Sequence, residues 1–144
     1  MRIDGAWCLC DDEVVRPVIN CDVLTGTGGW LAVPFQVDIG ADCTVLNART
    51  LRAVDLQQHN PHEQLGGVGG AAASVLVETQ IRLKSSDRNT IVFKARFAAF
   101  TDPEALDMSV LGRDITNLFA LIVDRPGAVV CLLGQRHRYV IEQV

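Results

Sequence analysis

Apolar and polar residues alternate most regularly in the second half of this chain. Between residues 74 and 84, apolar side chains recur at every second position from Val75 to Leu83, with Thr79 as the polar member. A period of two places such side chains on one face of a strand, so the pattern predicts a half-buried antiparallel strand. Residues 90–100 show a return strand after a polar turn, and together the two segments predict a long hairpin.

Other apolar segments predict a mostly β chain with little helix. Further strands are predicted over residues 12–24, 30–38, 120–124, 128–133 and 138–144. Asn47 predicts the N-cap of a helix from Ala48 to about Leu56, and a second short helix is predicted over residues 113–119. In total we expect about eight to ten strands and two short helices.

The first eleven residues form a separate N-terminal segment in this prediction. Ile3, Trp7 and Leu9 indicate a short strand, with pairing to another subunit as one option. Residues 12–144 form the main domain. A length of 144 residues is most simply one domain with a core of its own.

Asp38 stands where a carboxylate is unexpected. The apolar segment 33–37 leads directly into Asp38, and a second apolar segment begins at Val45. Burying a carboxylate between apolar segments costs free energy unless it is hydrogen-bonded or shares its proton. The position of Asp38 therefore indicates a functional role. Gly40 predicts a turn whose backbone conformation excludes residues with side chains.

Two motifs resemble signatures of the retropepsin-like aspartic proteases. Residues 38–46 read Asp-Ile-Gly-Ala-Asp-Cys-Thr-Val-Leu, which is similar to the active-site loop of the family. Residues 109–119 read Ser-Val-Leu-Gly-Arg-Asp-Ile-Thr-Asn-Leu-Phe, which is similar to its second signature, an apolar pair and a glycine leading into a short helix. The resemblance implies a single-domain, retropepsin-like closed β-barrel with a flap hairpin, and the hairpin after the second motif is more similar to the cellular and bacterial branch.

The resemblance implies an aspartic endopeptidase that hydrolyses extended polypeptide segments. Such enzymes hold a water molecule between two aspartates that share one proton. The chain has one aspartate in the required surroundings, Asp38, and is too short for a two-lobed form. The resemblance therefore implies a homodimer in which the catalytic Asp38 pairs with its copy across a twofold axis.

Further roles follow from the same resemblance. Substrate contacts are implied for the active-site loop and for a glycine-rich flap, at Gly40, Ala41, Asp42, Gly66, Gly67, Val68, Gly69 and Gly70. Structural support is implied for Ile39, Thr44, Gly112, Arg113 and Asp114, with an ion pair between Asp42 and Arg113. Glycines bend readily and leave backbone groups free to pair with a peptide. No Lys-Ser or Lys-Thr pair follows the glycines, which disfavours a phosphate-binding loop.

Ile39 departs from the family pattern, which has Thr or Ser at this position. The family hydroxyl joins the two loops across the dimer axis, and Ile39 has none. Apolar contacts and other strands then hold the dimer, or the dimer is weak, or activity is lost. Three functions stay open: the endopeptidase, a non-catalytic retropepsin-like domain that binds peptide or protein, and an unrelated β-barrel binding module.

Composition narrows the classes of partner. Apolar residues make up 49% of the chain and mean hydropathy is +0.22, which indicates an apolar surface for a partner subunit. The net charge is −4 without a basic cluster, which disfavours nucleic acid. No apolar run reaches the ~18–20 residues of a membrane helix. With no signal-peptide pattern, we expect a cytoplasmic protein.

The cysteine and histidine positions predict neither a disulfide framework nor a cofactor. Five cysteines, with no Cys-x-x-Cys spacing, are typical of a reducing compartment. His59, His62 and Glu63 surround Pro61, but no second cluster of ligands accompanies them, so no metal site is predicted.

Overall fold

The computed structural model describes residues 1–60, 65–67, 70–134 and 142. The mostly β fold with few short helices in one small domain is confirmed. The strands in these ranges are β1 (Arg2–Asp4), β2 (Ala6–Leu9), β3 (Val15–Leu24), β4 (Trp30–Val37), β5 (Val45–Leu46), β6 (Gln58–His59), β7 (Leu65–Gly67), β8 (Gly70–Ala72), β9 (Ser74–Lys84), β10 (Thr90–Phe100), β11 (Ser109–Leu111), β12 (Ala120–Asp124) and β13 (Val129–Leu133), and the helices are α1 (Ala48–Val54) and α2 (Arg113–Thr116).

The main sheet closes into a ring. Its strand order is β2-β3-β4-β11-β5-β10-β9-β6, and the additional pairing of β3 with β9 joins the two sides. Strands β9 and β10 pair along their whole length, from Ser74 opposite Phe100 to Lys84 opposite Thr90. Both strands have the bounds predicted for the two arms of this hairpin.

The core lies inside this ring. The inward-facing residues of β9, Val77, Ile81 and Leu83, are fully buried, as the period of two predicts. Phe35 of β4 is likewise buried, and α1 covers the core with its apolar face through Val54. The ring therefore supplies a packed support beneath the loops at its end.

The N-terminal segment forms two strands of the same chain where one was predicted. Strand β1 pairs with β13, and β2 pairs with β3. Gly5 lies between β1 and β2, where a Cβ would come within 2.8 Å of the Ile19 side chain and would overlap the carbonyl of Val18. The chain passes between two sheets at this glycine, which a period-two pattern does not reveal. Contact of residues 1–11 with a second subunit stays a prediction.

The two helices differ in how well the sequence predicts them. Helix α1 begins at the predicted N-cap, where the Asn47 side chain accepts a hydrogen bond from the Thr50 N–H, at 3.0 Å. Helix α2 ends at Thr116, three residues before the predicted end. The N–H groups of Leu118 and Phe119 bond to carbonyls three residues back, so the last turn tightens instead of continuing as an α-helix.

Several short strands were not predicted, because two or three residues are too few to show a period. They are β5, β6 and β11, whereas β7 and β8 form the hairpin expected in the glycine-rich segment. The predicted strand 138–144 and the residues Pro61, His62 and Glu63 lie outside the described residues. Both helices found in the described ranges are too short to cross a membrane.

Candidate active site

Asp38 is the first residue after β4, at the mouth of a buried strand, as predicted. Its backbone N–H donates to the Leu111 carbonyl at 3.2 Å, which ties it to β11. Its half-buried side chain accepts a hydrogen bond from the Gly40 N–H at 2.8 Å, and its carbonyl accepts one from the Ala41 N–H at 3.3 Å. The loop therefore folds back on Asp38 and fixes the position of its carboxylate.

The second motif passes between the two strands that flank this loop. Strand β11 is parallel to β4, with Leu111 opposite Val37, and antiparallel to β5, with Val110 opposite Val45. The chain thus leaves β4, forms the Asp38 loop and returns as β5 on the other side of β11. This crossing brings together residues about 70 positions apart in the sequence.

Thr44 joins the two motifs through its hydroxyl group. The hydroxyl donates to Asp114 Oδ1 at 2.7 Å and accepts from the Gly112 N–H at 3.1 Å. Asp114 Oδ1 also accepts from the Ile115 N–H at 3.0 Å. Because Thr44 is only 1% exposed, losing its hydroxyl would leave the buried Gly112 N–H without its acceptor and would remove one of the two donors to Asp114 Oδ1.

Gly112 is required by close packing. A Cβ at this position would overlap the carbonyl group of Cys43 and come within 2.8 Å of the Thr44 nitrogen. All of these are backbone atoms, which cannot turn aside as a flexible side chain can. The second motif therefore needs a glycine where it passes under the active-site loop.

The ion pair predicted between Asp42 and Arg113 is present. Arg113 Nη2 contacts Asp42 Oδ1, and the backbone adds two bonds, from the Arg113 N–H to the Ala41 carbonyl at 2.9 Å and from the Asp114 N–H to the Asp42 carbonyl at 3.3 Å. The Asp42 side chain is 82% exposed. The backbone bonds, not the exposed ion pair, therefore provide most of the anchoring at this point.

Gly40 is a correction to the sequence analysis. Glycines with positive φ in the described chain are Gly28 and Gly70, and Gly40 is not among them. A Cβ at Gly40 would instead lie 3.1 Å from Asp38 Oδ1. The glycine leaves room beside the carboxylate, and the predicted backbone requirement was wrong.

The glycine-rich segment contains a short hairpin. Gly66 lies opposite Ala71, and Gly67 lies opposite Gly70, whose φ of +103° favours glycine. Val68 and Gly69 lie outside the described residues. The backbone pairing agrees with the predicted hairpin, whereas the contact of Gly66, Gly67, Val68, Gly69 and Gly70 with a substrate stays a prediction.

A buried polar cluster that the sequence did not predict lies behind the loop. The Asn47 N–H donates to Ser109 Oγ at 3.1 Å, and the Asn47 side-chain amide donates to the Asp107 carbonyl at 3.0 Å. Ser109 Oγ also lies 3.1 Å from Thr50 Oγ1. Asn47 was predicted only as a helix cap. The signal was a serine directly before the apolar pair of the second motif.

Cys43 lies half-buried in the loop as a free thiol. Burial is the main reason that the pKa of this thiol is raised, and the negative charge of Asp114 raises it further. A raised pKa keeps the thiol protonated and weakly nucleophilic. All five cysteines are free, and Cys21 and Cys131 are buried. Among the described residues, no three His, Cys, Asp or Glu side chains are grouped as a metal site would require.

Two apolar side chains of the two motifs are exposed. Ile39 is 66% exposed on the loop, and Leu118 is 63% exposed just after α2. Strand β12 begins two residues later at Ala120 and pairs on one side only, with β13, within the described chain. An open strand edge and exposed apolar side chains are features of protein interfaces.

Two solved structures share this fold. One is the EIAV protease in complex with an inhibitor, with 23% sequence identity, a TM-score of 0.51, and coverage of 71% of this chain and 86% of that chain. The other is a retropepsin-like aspartic protease from Rickettsia conorii, with 18% identity, a TM-score of 0.54, and coverage of 92% and 90%. No protein-family model and no curated protein sequence matches the chain. The chain has the fold of the retropepsin-like aspartic proteases, which does not fit the unrelated binding module.

Proposed function

We propose that this chain is an aspartic endopeptidase that acts as a homodimer on extended polypeptide segments. The observation that supports this most strongly is the position of Asp38. Its carboxylate lies on a loop fixed by the second motif, in a fold shared with two solved aspartic proteases. A fixed, half-buried carboxylate at the end of a strand is suited to general acid–base chemistry.

The proposed chemistry needs two carboxylates close together. Two such groups about 3 Å apart cannot both ionise, so one acts as general base on a shared water while the other donates a proton to the scissile carbonyl. This chain offers Asp38 as one of them. The second is the Asp38 of another copy, related by a twofold axis.

The outward face of the loop supports assembly of that dimer. Ile39 exposes an apolar side chain next to Asp38, and Leu118 exposes one just before β12, whose outer edge has no partner strand in the described chain. In the proposed dimer, apolar contact at Ile39 replaces the hydroxyl hydrogen bonds of the family pattern. Burial of apolar area contributes about 25 cal/mol per Å², so two isoleucines meeting at the axis stabilise the pair without hydrogen bonds.

Peptide binding in the proposed cleft uses backbone pairing. The loop presents Gly40, Ala41 and Asp42 beside the carboxylate, and the β7–β8 hairpin is proposed to close over the substrate as a flap. Extended peptides bind to exposed strand edges through main-chain hydrogen bonds. We therefore expect unfolded polypeptides to be cleaved and compact folded proteins to resist.

A cleavage assay tests the proposal. The protein is incubated with denatured casein between pH 4 and 7, beside an Asp38→Asn variant and an Asp102→Asn control in an exposed loop. Wild type and control should cleave, and Asp38→Asn should lose activity by about a thousandfold or more. Sedimentation across concentration tests the dimer, since a strict monomer cannot assemble two aspartates.

The non-catalytic alternative makes a different prediction in the same assay. If wild type and Asp38→Asn are both dimeric, both inert and both able to bind casein, the domain binds peptide without hydrolysing it. Ile39 is the residue that motivates this alternative. An Ile39→Thr variant that gains cleavage would assign the missing activity to that position.

A further inference from the structure

A groove of about 360 Å³ lies outside the active-site loop. It is bounded by α1, by the first half of β4 and by the loop before β11. Ala32, Pro34, Arg49 and Met108 are among the residues that line it, and no residue from 38 to 44 does so. The groove is therefore a separate concave surface on the same domain.

One side of this groove is a strand edge that has no neighbouring strand among the described residues. Of the residues of β4, Phe35–Val37 pair with β11, and the earlier part of β4 has no strand beside it on that side in the described chain. The Asp38 N–H points toward β11, where it donates to the Leu111 carbonyl. Backbone groups alternate in direction along a strand, so the N–H and C=O of Ala32, six residues earlier, point to the same side.

The groove also presents a cation. Arg16 lies at its rim but is already paired with Asp12, through contacts of 2.6 and 2.5 Å. Arg49 forms no salt bridge to any described residue. Asp11 and Asp107 line other parts of the groove. An acidic side chain on a ligand is therefore favoured beside Arg49 and disfavoured elsewhere.

The walls of the groove are held in place without a ligand. The Asn47 side chain caps α1 and also donates to the Asp107 carbonyl, which fixes the loop before β11 against the helix. Ser109 and Thr50 extend this contact through their hydroxyl groups. A preformed groove loses less conformational entropy on binding than a surface that must first be ordered.

We propose that this groove binds an extended segment of a polypeptide substrate as an added strand along Ala32, with an acidic side chain beside Arg49. The N–H and C=O of Ala32, which have no partner strand among the described residues, favour an extended backbone that pairs with them as a neighbouring strand would. That the segment belongs to a substrate rests on the proposed function, whereas peptide binding at Ala32 does not. The groove holds substrate outside the bond to be cleaved and so raises its local concentration at the cleft.

The first test measures whether peptide binding depends on the backbone N–H of Ala32. The probe is a fluorescein-labelled Thr-Val-Glu-Val-Thr peptide with blocked termini, titrated into Asp38→Asn protein so that no cleavage interferes. Amide NMR shifts should appear at Ala32, Arg49 and Met108. Ala32→Pro removes the N–H and should weaken binding by roughly tenfold, whereas Ala32→Ser keeps it and should bind normally. Pro34, two residues on in the same strand, indicates that β4 accepts proline in this orientation.

The second test reverses the charge at residue 49 and on the peptide, and measures the change in affinity. Arg49→Glu should weaken binding of the glutamate peptide by roughly tenfold and strengthen binding of a peptide with lysine in its place. An acidic residue in the first turn of α1 is compatible with the helix dipole, so the variant should fold. Arg52→Glu, on the same helix but outside the groove lining, is the matched control and should change neither affinity.

Three results would overturn the proposal. They are no binding at millimolar peptide, shifts confined to Gly40–Asp42 and the β7–β8 hairpin, or equal affinity for Arg49→Glu and Arg52→Glu. Failure of the proposed function has a different signature. If the protein cleaves nothing but binds the peptide at Ala32, peptide binding in the groove is supported and the endopeptidase is refuted. If it cleaves casein but binds no peptide in the groove, the endopeptidase is supported and groove binding is refuted.

Discussion

The two faces of the active-site loop are held in different ways. Toward α2, the loop is bonded within its own chain, through the buried Thr44 hydroxyl, Asp114 and the Gly112 N–H. On the opposite face, Ile39 is 66% exposed. The inner face fixes the shape of the loop, and the outer face is left for another molecule.

This difference separates folding from assembly. Because the internal hydrogen bonds fix the loop in a single chain, a partner is not needed to shape it. In the proposed dimer, the second copy supplies a carboxylate and apolar contact. Variants of the inner face should therefore change the free energy of unfolding, and variants of the outer face should change the dissociation constant of the dimer.

Gly112→Ala should give the largest change in stability. Its methyl group would overlap the backbone of Cys43, and overpacking against backbone atoms costs about 2–3 kcal/mol. The midpoint of thermal unfolding, followed by circular dichroism, should fall by roughly 5–10 °C. Gly29→Ala is the control, since a Cβ there meets only the Thr25 hydroxyl at 3.6 Å. Equal midpoints for the two variants would contradict the close packing.

Thr44→Val tests the inner hydrogen bonds with little change in shape. The Gly112 N–H would lose its acceptor and Asp114 one of its two donors, which should lower the free energy of urea unfolding by about 1–2 kcal/mol. Thr44→Ser keeps the hydroxyl and should retain most of that free energy. Equal free energies of unfolding for the valine and serine variants would contradict the role of the Thr44 hydroxyl.

Ile39→Glu tests the outer face. Two carboxylates brought together near the proposed axis should raise the dissociation constant of the dimer about tenfold or more, measured by sedimentation equilibrium. Thermal unfolding of the dilute monomer should stay unchanged, because the side chain is mostly exposed. Ile39→Val serves as control. A lower midpoint with an unchanged dissociation constant would assign Ile39 to folding instead of assembly.

Arg113→Gln should have the smallest effect on stability. The pair with Asp42 is exposed, and exposed ion pairs contribute about 0–1 kcal/mol. The free energy of unfolding should therefore change by less than it does for Thr44→Val. If Asp42 binds substrate as proposed, the variant should raise KM in casein cleavage more than it lowers kcat. A stability loss larger than that of Thr44→Val would reverse the ranking of the two contacts.

The long strands could be predicted because their period is expressed over many residues. Strands β9 and β10 each span eleven residues; the alternation in β9 indicates the first arm, and the polar turn at residues 85–89 indicates where the second arm begins. Strands β5 and β11 have two and three residues. They exist because the crossing of the chain places them side by side, and this long-range pairing leaves no local pattern.

The candidate site likewise contains residues that the sequence predicts and residues that it does not. Asp38, Asp42 and Arg113 could be found from two short motifs, because their chemistry depends on residue type. The role of Ser109 could not, since its partner Asn47 is 62 positions away. The reason for Gly40 could not be predicted either. A glycine is needed either for a special backbone conformation or to leave space for a neighbouring group, and the sequence does not distinguish the two.

A mixing experiment tests most directly whether two copies share one active site. Wild-type protein is exchanged with rising fractions of Asp38→Asn protein at constant total concentration, and casein cleavage is measured. If each site needs Asp38 from both copies, activity follows the square of the wild-type fraction, and an equal mixture keeps about one quarter. Activity that falls in direct proportion to the wild-type fraction would contradict the account.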